Sequence, residues 1–359
     1  MISARGVTWM AVVAAMVLLV SETHGDIPYH VTVLSLGGPQ SFAYDINTSG
    51  WVVGQARNAG GAYCAFLYKD GVMNDLNHLV TGGANLRLVC AYSINSTGQI
   101  VGDSYDLDGK RRAYIFDNGT VVDLGTIGQS PSVAFGISDT GYVVGYSALA
   151  VPAFVRHAFR YTNGNMSDLG TLGGSESFAM AVNDSGTVAG YSYDASGETR
   201  AFQWDGAMSD LGTPSGYSVA RGINNSGQIV GHGKFYGMDQ AFIFENGTLT
   251  DIGTGNAFTS YAYDINEYQQ VVGNVHTGYE SYAFLYEGGA MNNLNSLLDG
   301  AGSPFYLSCA HAINDSGQIV GYGYSGDYTA FLLTPIPEPG SLTILTLGVG
   351  AVWLKRRRR

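Results

Sequence analysis

Only three cysteines stand among the 359 residues, at positions 64, 90 and 309. Cys64, Cys90 and Cys309 show no C-x-x-C spacing, which excludes the common zinc and redox patterns. An oxidising compartment would permit one disulfide and leave one thiol over, with the pairing open. Charge is scarce too: 13% of residues are charged, against roughly 25% in an average protein. Positive charge is scarcest of all between Asp26 and Thr334, where 11 Lys and Arg face 27 Asp and Glu, a formal charge of −16. Such a surface cannot neutralise phosphates, so no nucleic-acid partner is expected. It suits solubility or the collection of cations.

Catalytic patterns are missing as well. The chain has no G-x-S-x-G, no H-E-x-x-H and no P-loop. Gly231-His232-Gly233 has the wrong spacing for the third glycine of a G-x-G-x-x-G, and the seven His are scattered singly. No catalytic residue is assigned.

What is abundant is glycine, at 51 residues, and tyrosine, at 24. Glycine supplies positive φ for tight turns and tyrosine fits a half-buried pleated surface, so many short strands are expected. A chain that is 45% hydrophobic can bury a sizeable core at this length.

The pattern behind that composition is a repeat. "INDSGQIVG", Ile313 to Gly321, has near-copies at six other places. The full copies begin at Ala43, Ala91, Ala134, Ala179, Ala220, Ala262 and Ala310, between 41 and 48 residues apart, and follow the form A-x-x-I-N-x-x-G-x-V-V-G, with Val for the Ile, Ser for Asn, Ile or Ala for a Val and, in the sixth, Gln for the first Gly as the departures. Each is followed by an Ala-aromatic signature, such as "CAFLY" or "HAFRY", and a third signature, "DLGT", recurs between units. A period of this length signals a repeat architecture. Each unit reads as four strands: one at DLGT, one at A-x-x-I-N, one at V-V-G and one at A-F-x-aromatic. N-x-x-G is the tight turn between the second and third, because Asn and Gly tolerate positive φ.

Four strands in 41 to 48 residues match the spacing of a propeller blade. The fold expected over residues 26–334 is therefore all-β, a seven-bladed β-propeller. The alternative, a β-solenoid, would show a shorter coil period and stacked ladders. Ring closure supports the propeller. "HVTVLSLGGPQSFAYDIN" at the N-terminus matches the interior "MSDLGTLGGSESFAMAVN", so the chain opens on a DLGT-type strand and ends on an AF-type strand. The strand Tyr29 to Leu36 should complete the last blade and remove its open edge. Two connections are longer, Asn74 to Cys90 and Asn292 to Cys309. Insertions in repeat proteins map to loops on one face, often the binding face.

Some polar residues have two readings. "DSYDLDGK" places Asp103, Asp106 and Asp108 near a flexible Gly109, a fragment of a calcium loop. The later bidentate Glu is absent, and an Asp-Gly hairpin turn is the favoured reading. The repeated Asp123, Asp168, Asp210 and Asp251 read as structural, since one site does not need so many equivalent copies. Asn-x-Ser/Thr sequons, among them Asn47, Asn118 and Asn314, follow from turn chemistry.

The ends differ from the body. Residues 1–25 carry Arg5, an apolar run from Val7 to Val20 and then "SETHG". This is the form of a secretory signal with a cut between Gly25 and Asp26; an N-terminal anchor helix is the alternative. Residues 335–359 hold Pro337, Glu338 and Pro339, then an apolar stretch 341–354, then Lys355 and Arg356, Arg357, Arg358 and Arg359. Fourteen residues of helix span about 21 Å against a hydrocarbon core of about 30 Å. The segment thus reads as a transient sorting element with the basic end cytoplasmic, and a plain tail anchor remains open.

On these residues the repeat resembles the HAF-repeat family of extracellular bacterial proteins, named for the triplet at His157, Ala158 and Phe159. The other units hold Cys, Arg, Gln, Tyr or Thr in place of the His, so His is not a required ligand. The tail resembles a PEP-CTERM sorting signal. The resemblance implies export through the Sec machinery, recognition by a membrane exosortase, and delivery to the cell surface or its polysaccharide matrix. It implies no established activity. Two function classes are expected to compete: a non-catalytic module that binds exopolysaccharide or a cell-surface glycan, and a secreted polysaccharide hydrolase or lyase.

Overall fold

The computed structural model describes residues 28–150, 155–253, 257–299 and 305–337. Seven sheets, antiparallel apart from one added edge strand, follow one another along the chain and pack face to face around a central axis. Blade 1 shows the plan: inner strand Gly37–Ile46, second strand Val52–Asn58, third strand Tyr63–Lys69 and outer strand Val72–Asp75. The expected seven-bladed propeller is the observed fold.

Each signature has a physical reason for its place. In the turn, Asn314 Oδ1 accepts the amides of Ser316 and Gln318 at 3.1 and 3.0 Å, and Gly317 takes φ 72°. "INDSGQIVG" is thus the hairpin from inner to second strand, present once per blade. Blade 6 reads "INEYQQVVG" and lacks the glycine, so Gln269 is forced to φ 64° instead. The glycine of V-V-G is required by close packing. A Cβ on Gly54 would stand 2.0 Å from the Phe42 carbonyl oxygen and 2.7 Å from the Phe66 ring. That ring belongs to the Ala-aromatic signature. Phe66, Tyr114, Phe159, Phe202, Phe242, Phe284 and Phe331 are all fully buried in this way, one per blade. Each contributes about 1.5–3 kcal/mol by leaving water.

Serines join neighbouring blades. Ser177 Oγ donates to the Gly170 carbonyl at 2.6 Å and accepts the Ala158 amide of the blade before it at 2.8 Å. Ser132 and Ser260 repeat the arrangement. In blades 2 and 7 Leu88 and Leu307 take that register position. There Asn77 and Asn295 each clasp the leucine backbone with two hydrogen bonds of 2.8–3.0 Å.

The ring closes as expected. Tyr29–Leu34 pairs antiparallel with Tyr328–Pro335, from Tyr29 opposite Pro335 to Leu34 opposite Ala330, and completes blade 7. Tyr29 and Leu34 are buried to 2% and 1% exposure. Ser41 of blade 1 accepts the Ala330 amide of blade 7 at 2.9 Å. The strand stops at Leu34 rather than Leu36 because Ser35 Oγ accepts the Gly37 amide in a turn at 3.0 Å. The last strand runs one residue past Thr334.

The two insertions lie elsewhere than expected. The first forms a helical turn at Leu76–Leu79, capped by Asp75, and then sends Gly82–Gly83 along the outer strand of blade 2 as a fifth strand. The second forms a 3-10 turn at Leu294–Leu297 and lays Leu298 beside Tyr29, with the Asp299 amide donating to the Tyr29 carbonyl at 3.0 Å. Both cover the outer edges of blades 2 and 7, where unpaired backbone would otherwise face water. Their described parts protect edges.

Among the described residues no helix is long and apolar enough to cross a membrane. Gly25, Asp26, Glu338, Pro339, the stretch 341–354 and Arg356 to Arg359 lie outside the described residues; Pro337 is exposed at their end.

Candidate functional site

The inner strand carries a bulge in every blade, at the residue after its conserved alanine. Pairing skips from Ala43 to Asp45 in blade 1, and likewise past Tyr92, Phe135, Met180, Arg221, Tyr263 and His311. A bulged residue is unpaired and its side chain is re-aimed. Here all seven are re-aimed onto one cavity of about 220 Å³ on the axis, lined by Tyr44, Tyr92, Phe135, Met180, Arg221, Tyr263 and His311. The next position adds Asp45, Ser93 and Asp264, and only Gly or Ala in the other blades. The two variable letters of A-x-x-I-N are therefore the lining of the channel.

Its aromatic wall is continuous on one side. His311 stacks on Tyr44 with centroids 5.2 Å apart and lies 5.2 Å from Tyr263. Tyr44 meets Tyr92 at 5.5 Å, and Tyr92 meets Phe135 at 5.2 Å. Burial pushes the hydroxyls of Tyr44, Tyr92 and Tyr263 well above their ordinary range, so they remain donors. Burial, helped by the Arg221 charge, lowers His311 to about 4, so its imidazole is neutral.

The two carboxyls are struts between blades. Asp45 accepts the Ile46 amide at 2.7 Å, and reaches into blade 2 for the Ser93 hydroxyl at 2.7 Å and the Ile94 amide at 2.9 Å. Asp264 accepts the Ile313 amide of blade 7 at 2.9 Å. Burial outweighs these donors and raises Asp45 to about 6. Burial, with a smaller push from the Asp45 charge, raises Asp264 to about 7.

Above this chamber a second cavity of about 220 Å³ opens at the turn end of the channel, ringed by the asparagines of the repeat. Asn183 Nδ2 donates to the Asn224 carbonyl at 3.2 Å, Asn224 to Asn266 at 3.1 Å, Asn266 to Asn314 at 3.2 Å and Asn314 to Asn47 at 3.0 Å. Asn47 and Asn95 continue the ring to Asn95 and Ser138. It breaks only where Ser138 lacks an amide. At the rim Asp139, Asp184, Glu267 and Asp315 each accept an amide from the blade before. They act as inter-blade acceptors.

The sequence-predicted residues fall outside the channel's reactive chemistry. Asp103 is buried against Arg111, Asp106 accepts the Asp108 and Lys110 amides and pairs with Arg112 at 3.2 Å, and Asp108 pairs with Lys110 at 3.6 Å. The carboxylates do not converge, Gly109 turns the chain at φ 74°, and the hairpin reading replaces the calcium loop. Among the described residues no group of three His, Cys, Asp or Glu could hold a metal ion. Asp123, Asp168, Asp210 and Asp251 each accept the amide two residues on, at 2.7–2.8 Å, which makes them turn residues. His157 of the HAF triplet pairs with Asp168 at 2.9 Å. Cys64, Cys90 and Cys309 are buried and free.

No protein-family model and no curated protein matches the chain. Solved propellers are similar to it in fold. TolB from Acinetobacter baumannii is 11% identical with a TM-score of 0.45, covering 79% of this chain and 63% of that one. The chain thus spans less than two thirds of that TolB. BP39L lectin from Burkholderia pseudomallei is 10% identical with a TM-score of 0.44, over 87% of this chain and 98% of the lectin. Acylaminoacyl peptidase from Pyrococcus horikoshii is 10% identical with a TM-score of 0.49, over 87% and 54%. At these identities the likeness is one of fold.

Proposed function

We propose that this chain is an exported, non-catalytic propeller of the HAF-repeat type that binds a polysaccharide or another cell-surface glycan. The observation that carries the reading is the channel lining. Seven bulges converge on one chamber, and five of the seven side chains there are aromatic rings (Tyr44, Tyr92, Phe135, Tyr263 and His311). Apolar ring faces beside hydroxyl donors suit a sugar, which offers C–H faces to stack and hydroxyls to bond. In this reading the N-terminal segment directs export through the Sec machinery. The Pro337-Glu338-Pro339 tail then presents the protein to an exosortase for release into the matrix.

A polysaccharide hydrolase or lyase is the second reading, and the raised Asp45 and Asp264 favour it, since paired carboxyls with displaced pKa values serve acid–base catalysis. Against it, Asp45 has both oxygens filled by structural donors, and Asp264 holds the Ile313 amide. The test is a glycan array with a parallel turnover assay. Saturable binding without product is expected; product formation abolished by Asp45→Asn or Asp264→Asn would replace the binding reading with the enzymatic one.

A further inference from the structure

Arg221 is the one cation in the channel lining, standing where the other six copies hold Tyr, Phe, Met or His. It is half-buried, and its Nε is shielded from water without a hydrogen-bond partner among the described residues. Its guanidinium lies 5.9 Å from the centre of the Tyr263 ring, and no carboxylate comes within 4 Å of it among the described residues. The other arginines of the described residues each have an anion or a carbonyl for the guanidinium, although the Nε of Arg57 is likewise unpartnered. Arg111, Arg112, Arg156 and Arg200 pair with Asp103, Asp106, Glu176 and Asp194, while Arg57, Arg87 and Arg160 donate to backbone carbonyls. A guanidinium nitrogen shielded from water without a hydrogen-bond partner carries a cost that a bound acceptor would remove. Its fork matches a carboxylate in two-point geometry.

We infer that the inner chamber is a carboxylate-sugar site, in which Arg221 takes the carboxylate of a single uronic-acid residue and Tyr44, Tyr263 and His311 pack its ring. This rests on the glycan-binding reading above and names the sugar class. The volume of about 220 Å³ sits below the usual range of roughly 300–1,000 Å³ for drug-sized ligands, so the chamber takes one sugar ring, free or at the end of a polysaccharide whose remainder stays outside. The charged and titratable groups in the chamber with Arg221 are Asp45, Asp264, His311 and the hydroxyls of Tyr44, Tyr92 and Tyr263, and Tyr191, Tyr217, His232 and Cys309 also feel its charge from the strands packed beside it; burial keeps His232 neutral and Cys309 a thiol. His311 and the tyrosines are neutral at physiological pH, so Asp45 and Asp264 are the groups that oppose an anion. Both lose their charge as pH falls through about 7 and about 6. Uronate binding therefore tightens from pH 8 to pH 5.5, where the ligand carboxylate is still ionised. The acidic rim of Asp139, Asp184, Glu267 and Asp315 disfavours anions in general, which leaves pairing with Arg221 as the contact the affinity depends on.

The experiment is calorimetric titration of the purified full chain with D-galacturonate and D-glucuronate, with galactose, glucose and the acyclic acid succinate as comparisons. Arg221→Ala, Arg221→Lys and an acidic polysaccharide complete the set, with near-ultraviolet circular dichroism to confirm that both variants keep their aromatic packing. One uronate should bind at one site per chain. Arg221→Ala should weaken it by about 30-fold or more, as removal of a desolvated charge partner does, and Arg221→Lys should keep part of it. Equal binding of the neutral hexoses or of succinate overturns the inference, and so does a folded Arg221→Ala variant that binds uronate as well as wild type. If the acidic polysaccharide binds wild type and Arg221→Ala equally, the chamber site falls while the glycan-binding module stands. Failure of every glycan to bind removes both.

Discussion

Replacing Asn314 by alanine tests why the same nonapeptide recurs around the ring. The residue is 5% exposed and its side chain makes four hydrogen bonds. Nδ2 donates to the Asn47 carbonyl at 3.0 Å across the seam between blades 7 and 1, and to Gln318 Oε1 at 2.9 Å. Oδ1 accepts two amides of its own turn, from Ser316 and Gln318. At about 1 kcal/mol net per bond the upper bound is ~4 kcal/mol. Ser316 is exposed, so water takes over part of the turn. The buried Asn47 carbonyl is out of reach of water and keeps only the Gly50 amide of its own turn, at 3.0 Å. The expected loss is about 2–3 kcal/mol, read as a lower urea midpoint at unchanged slope by far-ultraviolet circular dichroism. Asn314→Asp keeps the acceptor and removes both bonds that Nδ2 donates, to Asn47 and to Gln318, so it should cost at least half as much. Ser138→Ala should cost less, about 1 kcal/mol, because the ring is already interrupted there. A loss below about 0.5 kcal/mol for Asn314→Ala, within the scatter of surface substitutions, would refute the reasoning. An equal loss for Ser138→Ala would refute it too.

Three further outcomes follow from the same geometry. Leu34→Ala, in the closing strand, should cost about 2–5 kcal/mol in the same assay, and an unchanged midpoint would mean the N-terminal strand does not clasp blade 7. Asp264→Asn should leave stability unchanged near pH 4 and raise it by about 1–2 kcal/mol at pH 8. The raised carboxyl pKa means that stability is lost as pH climbs from about 4 to about 7, and half-burial trims a ~4 kcal/mol ceiling; a pH-independent effect would remove that account. Adding calcium or EDTA should not move the melting temperature, because Asp103, Asp106 and Asp108 are paired with arginine and lysine; a calcium-dependent rise of several degrees would restore the calcium loop.

The ring was legible in the sequence because each signature answers a local requirement that recurs in every unit. Gly54 must lack a Cβ, Asn314 must cap its own turn, and Phe331 must fill its blade, so these letters cannot drift between copies. The N-terminal match to an interior DLGT strand carried the closure for the same reason. The channel lining was printed in the same copies, but as the two letters that change. Tyr44, Arg221 and His311 share no residue type, and only the register shift that follows each conserved alanine shows that they point to one place. The signal that could have found them is variation inside a uniform repeat. Where the insertions run was not legible, because length says nothing about direction. Asn77 and Asn295 turn both of them back over the neighbouring outer edges through contacts 11 and 12 residues apart.

The central claim, that the bulged side chains form the binding surface of a propeller that does not turn its ligand over, is tested most directly by one comparison. Equilibrium binding of an acidic polysaccharide to the purified full chain would be set beside binding to a Tyr44→Ala, Tyr263→Ala double variant, with the ligand recovered and sized afterwards. The account predicts saturable binding to the wild type, loss of at least ~10-fold in the variant as two aromatic contacts go, and recovered polysaccharide of unchanged length. Undiminished binding by a folded variant, or a shortened ligand from the wild type, would contradict it.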